Sequence, residues 1–411
     1  MYFQNKNNKY LIVRKLHLYT VLFSLIFIPF FASAQATDTT KKKIKFRFTS
    51  FSIEARADLE YLGTYQWQNS FNYIVDHYKM DNTGWNSNYG FHGQYFNFLL
   101  GGDIGNHISY FFRQRIIPKA GSVSFFDNTD FLYLQYRFND QWAIRVGKEA
   151  LYVGGFEYDA APIDVYYYTY FWGTIHCFQL GISASYTDKK KKNKIVFQFA
   201  NSPYIYYEGT GTEWKKGLFS YNLYWNGNYG PFTALYSLNF MEYKRGSFVN
   251  YISLGNKLSF NKWSIYVDYM NRAASFHKFF QDFSLVGRLD WHVSPSVNLF
   301  VKGGYEQNLA EVYSTVEYDD AGRYMGRFVN DAMDVMVPPE HIYHFYGIGI
   351  EFRPLTYQDL RIHAFVANSV LLQPEIWPDE FFTYGRHGSL QVNVGATWKI
   401  NFLKYLPDRL K

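Results

Sequence analysis

The stretch SFSIEARADLEYL, Ser50 to Leu62, alternates without a break. Ser52, Glu54, Arg56, Asp58 and Glu60 fall on one side; Phe51, Ile53, Ala55, Ala57, Leu59 and Tyr61 fall on the other. A period of two marks a strand, because successive side chains leave opposite faces of a sheet. About ten residues of it suits a tilted strand crossing a bilayer. Near the other end, LQVNVGATWKINF, Leu390 to Phe402, repeats the pattern. There Leu390, Val392, Val394, Ala396, Trp398, Ile400 and Phe402 point outward, and Gln391, Asn393, Gly395 and Thr397 inward.

The same reading predicts sixteen strands: near 50–62, 90–102, 106–117, 130–138, 141–151, 176–187, 194–202, 218–227, 231–243, 247–260, 262–273, 281–293, 297–309, 341–353, 359–369 and 388–403. The links after even strands are short and turn-rich: GGDIGN, ND, DKKKKN, GNYG, NK and SPS. Most links after odd strands are long, at 63–89, 118–129, 152–175, 203–217, 310–340 and 370–387. Those after strands 9 and 11 are shorter. Short turns on one side and long loops on the other define an all-β transmembrane antiparallel barrel with periplasmic turns, extracellular loops and both termini in the periplasm. Closure follows from the solvent: in lipid no backbone polar group is left unpaired, so the sheet has no edge. A soluble sandwich has shorter strands and gives no reason for link length to follow strand parity.

The first residues fit export. Lys6, Lys9, Arg14 and Lys15 form a basic region, Leu16 to Phe31 an apolar one, and Ala32-Ser33-Ala34 a small-x-small cleavage pattern. The expected organisation is a signal peptide at 1–34 for Sec-type export, a basic periplasmic segment at 35–49 and a barrel at 50–411. The apolar run is short for a membrane anchor. The formal charge is +6, from 41 basic and 35 acidic residues. Without the four basic residues of the leader it is 37 against 35; without the next five and Asp38, the body from Phe48 holds 32 against 34. A near-neutral body gives no reason to expect a nucleic-acid partner. Cys177 is the one cysteine, so no internal disulfide or cysteine-rich metal site is available. Aromatic residues make up 22%, a load that suits lipid-facing bands and interfacial girdles.

Sixteen strands enclose a water-filled lumen, so inward positions should be polar. Alternation turns inward Arg113 and Arg115, then Tyr133, Gln135 and Arg137, then Arg145 and Glu149. Farther along it turns inward Asp282, Ser284, Arg288, Asp290 and His292, then Asn298, Lys302 and Glu306, then Arg361 and His363. Strands 3 to 5 are neighbours, so Arg113, Arg115, Arg137 and Arg145 are expected to share one patch of wall. That patch either neutralises nearby carboxylates or forms an anion-attracting rung. Lys148, Arg288 and Lys302 join the expected pore-lining set.

The loop VGGFEYDAAPIDVYYYTYFWG, Val153 to Gly173, follows strand 5. It carries Glu157, Asp159 and Asp164 among eight Tyr, Phe and Trp residues. Exposed, those rings would be costly; turned inward near 152–175, they would pack on the wall and narrow the pore. Its carboxylates would then face the arginine patch. An external lid or subunit contact is the alternative.

RVGKEALYVGGFEYDAAPIDVYYYTYF, Arg145 to Phe171, resembles the strand-and-loop segment of outer-membrane porins of the phosphate-selective porin O and P type. VGK ending a strand, then GG-E-Y and P-I-D, carry the likeness. The resemblance implies a sixteen-stranded channel in the outer membrane of a Gram-negative bacterium, often a homotrimer, with a pore-lining loop and basic residues along the path. Selective members carry lysine-rich loops and arginine ladders; here the pore-facing residues mix both signs. The chain also runs past Phe402 as LKYLPDRLK, where many such barrels end on an aromatic residue.

No GxSxG, HExxH, Walker loop or Cys/His metal spacing occurs, which points away from an enzyme and from a cofactor. His341 and His344 are three apart and fall on opposite faces of a strand. The acidic run Asp319 to Asp334 misses the EF-hand spacing and reads as a solvated loop. The expected function is a passive diffusion channel for small hydrophilic solutes, anions among them, in contact with outer-membrane lipid. The alternative is a non-conducting barrel serving adhesion or a secretion or uptake complex.

Overall fold

Sixteen strands pair in chain order in this computed structural model. The structure describes residues 46–72, 77–79, 84–117, 124–206, 217–272, 279–308, 314–318, 324–329, 341–354, 359–372 and 381–405, all within the unit Phe46–Lys411. The expected signal peptide at 1–34, most of the basic segment at 35–49 and most of the acidic run at 319–334 lie outside them. The wall strands are β1 Phe46–Asn72, β2 Gly84–Ile104, β3 Ile108–Arg115, β4 Thr129–Arg137, β5 Trp142–Ala150, β6 Phe178–Thr187, β7 Asn193–Asn201 and β8 Phe219–Tyr229. They continue as β9 Phe232–Lys244, β10 Ser247–Ser259, β11 Trp263–Asn271, β12 Asp282–Ser294, β13 Val297–Asn308, β14 His341–Phe352, β15 Asp359–Leu372 and β16 Phe381–Asn401.

Each strand runs antiparallel to its sequence neighbour, and β1 closes the ring on β16 from Ser52↔Asn401 to Asn72↔Phe381. Closure leaves the wall without a free end, as lipid requires. A three-residue strand, His77–Lys79, adds to β1, and Ser314–Tyr318 with Tyr324–Val329 forms a separate hairpin.

Alternation sets the two faces. Leu134, Val146, Ile348 and Val394 are each more than half exposed around the outside. Asp58, Gln198, Asn239, Glu306 and His363 are buried inside. Apolar side chains thus meet the bilayer while polar ones find partners in the lumen.

Three strands run longer than alternation indicated. β1 has 27 residues, and β2 and β16 have 21 each. Only about ten are needed to cross, so the rest continues the sheet past the membrane at the loop end. Beyond the bilayer no apolar face is required, and the polar GWNSNYG at Gly84–Gly90 pairs with β1 along its backbone, with Trp85 stacked on Tyr65 and donating to the Tyr61 hydroxyl at 3.2 Å. The last strand ends at Asn401; Phe402 opens a 3-10 turn to Tyr405 and still packs its ring 5.3 Å from that of Phe51.

Candidate functional site

The link from β5 to β6 crosses the inside of the barrel. It holds two short helices, Phe156–Asp159 (α1) and Tyr170–Thr174 (α2), with a 3-10 turn at Pro162–Asp164 between them. Its entry needs glycine. Gly155 has φ +105, a region that favours residues without a Cβ. A Cβ on Gly154 would lie 2.6 Å from the Leu235 carbonyl oxygen. Two bare residues let the backbone lie flat on β9 and β10. Gly154 N–H donates to Ser237 Oγ at 2.8 Å, and its carbonyl accepts from Ser253 Oγ at 3.0 Å.

Carboxylates of the wall then hold the two helix starts. Asp268 on β11 accepts from the Phe156 and Glu157 N–H groups, both at 2.8 Å. Glu306 on β13 accepts from Tyr170 N–H at 2.7 Å. The first amides of a helix have no partner within it, so a buried helix start requires such acceptors. Thr169 joins the two helices: its hydroxyl donates to Glu157 at 2.5 Å and accepts from Trp172 N–H at 3.2 Å.

The loop's own charges go to the far wall. Glu157 pairs with Lys302 on β13 at 2.5 Å, and Lys302 also donates to the Tyr167 carbonyl at 2.6 Å. Asp164 pairs with Arg361 on β15 at 2.5 Å. Tyr166 donates to Glu351 on β14 at 3.1 Å, and Arg56 on β1 donates to the Val165 carbonyl at 3.0 Å. Rings complete the contact. Tyr166 and Tyr167 pack among Phe300, Phe345 and Phe365, while Phe171 lies 5.4 Å from Tyr251. Each buried ring contributes about 2 kcal/mol. The sticky composition of the segment is therefore an interior composition.

The expected facing of Glu157 and Asp164 onto the arginine patch does not occur; they meet Lys302 and Arg361 instead. The patch has partners in its own wall. Arg113 and Arg115 share one carboxylate, Asp130, at 2.7 and 2.9 Å. Arg145 pairs with Glu149 at 2.7 Å and donates to Gln135 and Tyr152. Arg137 is not in the patch. It pairs with Asp103 at 2.9 Å near the turn end of β4. Six residues along β4 separate it from Phe131, the partner of Arg113, or about 20 Å. Lys148 does not line the lumen either. It shares its face with the lipid-exposed Val146, Leu132 and Leu180 and reaches up to the Phe126 carbonyl at 2.6 Å. Arg288 does point inward, pairing with Asp290 at 2.7 Å.

Two contributors escaped the alternation. Asp130 has the outward parity of β4, but a register shift between Arg113 and Gln114 turns it in. The inward Val286, Phe300, Phe345 and Phe365 break the expected polar lining, and all lie where the loop packs. Phe300 shares the parity of Asn298 and Lys302, so that signal was present in the sequence.

The loop lies on β7 to β15 and on β1, leaving open space on three sides of it. Toward the loop end, a cavity of about 370 Å³ is bounded by Glu60, Gln94, Tyr168, Tyr343 and Ser389. Beside the loop, one of about 480 Å³ lies between Arg113, Arg115 and Arg145 on the wall and Asp159, Ala160 and Pro162 on the loop. Toward the turn end, one of about 390 Å³ is bounded by Lys257, Arg288, Lys302, Arg353 and Glu351. Tyr95 and Tyr168 border both the first and second; Asp159 and Ala160 border both the second and third. The three thus lie around residues 158–168 of the loop. Asp159 opens on lumen water but is ringed by protein. That desolvation raises its pKa against the pull of Lys194 and Lys257. Among the described residues no cluster of three potential ligands could hold a metal ion.

Residues 66–276, just over half of the 411, match the sequence profile of phosphate-selective porin O and P. The chain belongs to that family. It is an outer-membrane porin, a passive channel built as a sixteen-stranded β-barrel. The anion-selective porin from Comamonas acidovorans has a similar fold, at TM-score 0.50 and 13% identity over 87% of this chain and all of that one. The outer membrane channel DcaP of Acinetobacter baumannii aligns at TM-score 0.49 and 9% identity, over 88% of this porin and 99% of that chain. At 13% identity the likeness to the Comamonas porin speaks for the fold alone. No curated protein matches this porin.

Proposed function

We propose that the porin passes small hydrophilic solutes with a mild preference for anions. The observation that carries this is the sharing of Asp130 by Arg113 and Arg115 on the wall of the middle cavity, which with its two neighbours would form the path past the loop. Two guanidiniums on one carboxylate leave one positive charge facing the water. The rest of the path is nearly balanced. The turn-end cavity alone sets Lys257, Arg288, Lys302, Arg353 and Arg361 against Glu157, Asp159, Asp164, Asp290 and Glu351. Balanced charge favours polarity over sign as the criterion for passage. On this reading the path carries no catalysis. Residues 1–34 direct Sec-type export, and the porin assembles as the homotrimer its family implies.

The test is a reversal potential across a planar bilayer in a KCl gradient. The expected sign is weakly anion-selective, and Arg113→Ser with Arg115→Ser moves it toward cations. An unchanged reversal potential removes the pair from the filter. A purified barrel that never conducts supports the adhesion or secretion role instead.

A further inference from the structure

The loop-end cavity differs in chemistry from the one below it. Among the described residues its two charged side chains are Arg56 and Glu60. Arg56 is already engaged, on Asp58 at 2.7 Å and on the Val165 carbonyl. Glu60 is held between two amides: Gln391 donates to one carboxylate oxygen at 2.8 Å and Gln94 to the other at 3.3 Å. This makes a row of acceptor carboxylate and flanking amides, each amide keeping a carbonyl oxygen for a further donor. Across the cavity Ser369 and Ser389 share a hydroxyl–hydroxyl bond of 2.8 Å. Tyr168 and Tyr343 also line the cavity. The volume of about 370 Å³ lies in the range of small-molecule sites.

We propose that this cavity is a binding site for a neutral sugar, which it holds above the constriction before passage. The inference rests on the channel reading and adds a solute class to it. Among the described residues an anion finds no unengaged cation here and meets Glu60. An apolar solute would desolvate the carboxylate, amides and serine hydroxyls without replacing their hydrogen bonds. A sugar matches both halves of the lining. Adjacent hydroxyls, each a donor and an acceptor, fit the carboxylate–amide row, and the C–H face of the ring fits a tyrosine face. The middle cavity differs: Arg113 and Arg115 outnumber Asp130 on its wall, with Asp159 facing them from the loop. The two in series separate capture of a neutral solute from screening by charge.

The probe is maltose, added to the full-length porin in planar bilayers while single-channel current is recorded. Saturable, voltage-independent interruptions of the current are expected. In Glu60→Gln the half-blocking concentration rises about tenfold, the loss of about 1.4 kcal/mol of hydrogen bonding to a charged acceptor. Tyr168→Ala weakens the block through a different contact and guards against a local defect in the first variant. A current that falls only in step with solution viscosity overturns the site while leaving the channel intact. So does a block equal in wild type and both variants, or one produced by inorganic phosphate and relieved in Glu60→Gln. Calorimetry of maltose binding to the detergent-solubilised porin reads the same site without conduction. Absence of binding heat there overturns it in a barrel that does not conduct.

Discussion

Replacing Asp268 with alanine should loosen the constriction at its root. The carboxylate accepts two loop amides at 2.8 Å each, from Phe156 and Glu157. Each buried donor left without a partner costs about 1–3 kcal/mol, so the pair costs about 2–6. A loss of about 3 kcal/mol raises the population of the displaced loop about 150-fold. The geometry makes that displacement visible. Sixteen strands about 4.8 Å apart and tilted about 40° make a wall about 100 Å round and about 32 Å across, far wider than the gap beside the loop. Single-channel recordings of Asp268→Ala should show excursions to a larger conductance. Asp268→Asn keeps one acceptor oxygen and should lie between. Chymotrypsin gives an independent readout, because Tyr166 and Tyr167 are buried in the wild type and should be cut only when the loop leaves the wall. Heat-modifiable gel mobility confirms that the barrel itself is folded. A folded Asp268→Ala with a single wild-type conductance level and full chymotrypsin resistance would refute the clamp.

Lys302→Met should leave Glu157 buried without its cation, at a cost of about 3–5 kcal/mol, and lower the chymotrypsin resistance of the loop more than Arg361→Met, whose partner Asp164 is half-exposed. Gly147→Ala should reduce the yield of folded barrel in heat-modifiability assays. Gly147 has φ +137, and a Cβ there would lie 2.2 Å from the Leu132 carbonyl oxygen, so strain of about 1–3 kcal/mol is expected. The raised pKa of Asp159 predicts a pH-dependent selectivity. As pH falls, Asp159 loses its charge before ordinary carboxylates do, and reversal potentials should shift toward anions; Asp159→Asn should show the shifted value throughout and no step.

The wall was legible because one rule governs every residue in it. A strand between lipid and water must alternate, and the sixteen segments could be placed by it, 90–102 least well because its alternation is poor. The turn-rich links fixed the direction of each. The inward course of Val153–Gly173 followed from composition, since so many rings need an interior. What alternation does not encode is height and the partner across the lumen. Arg113 and Arg137 share a face of the wall but sit at different depths, one near Asp130 and one near Asp103. The pairing of Glu157 with Lys302 joins residues 145 apart in sequence and depends on how the loop folds. Asp130 was hidden by a bulge that reverses its parity. Lys148 was readable and misplaced: it has the parity of Val146, on the lipid side. The inward phenylalanines of β13, β14 and β15 mark, in hindsight of the packing, the wall the loop covers.

The path past the loop is tested most directly at Ala160, which borders both the middle and the turn-end cavities. Cys177 borders the middle cavity too, so the measurement uses Ala160→Cys in a Cys177→Ser background. A methanethiosulfonate reagent added to conducting channels should cut the current stepwise and irreversibly, with no effect on Cys177→Ser alone. Current that persists unchanged after the thiol is shown to be modified would mean that ions do not pass this loop.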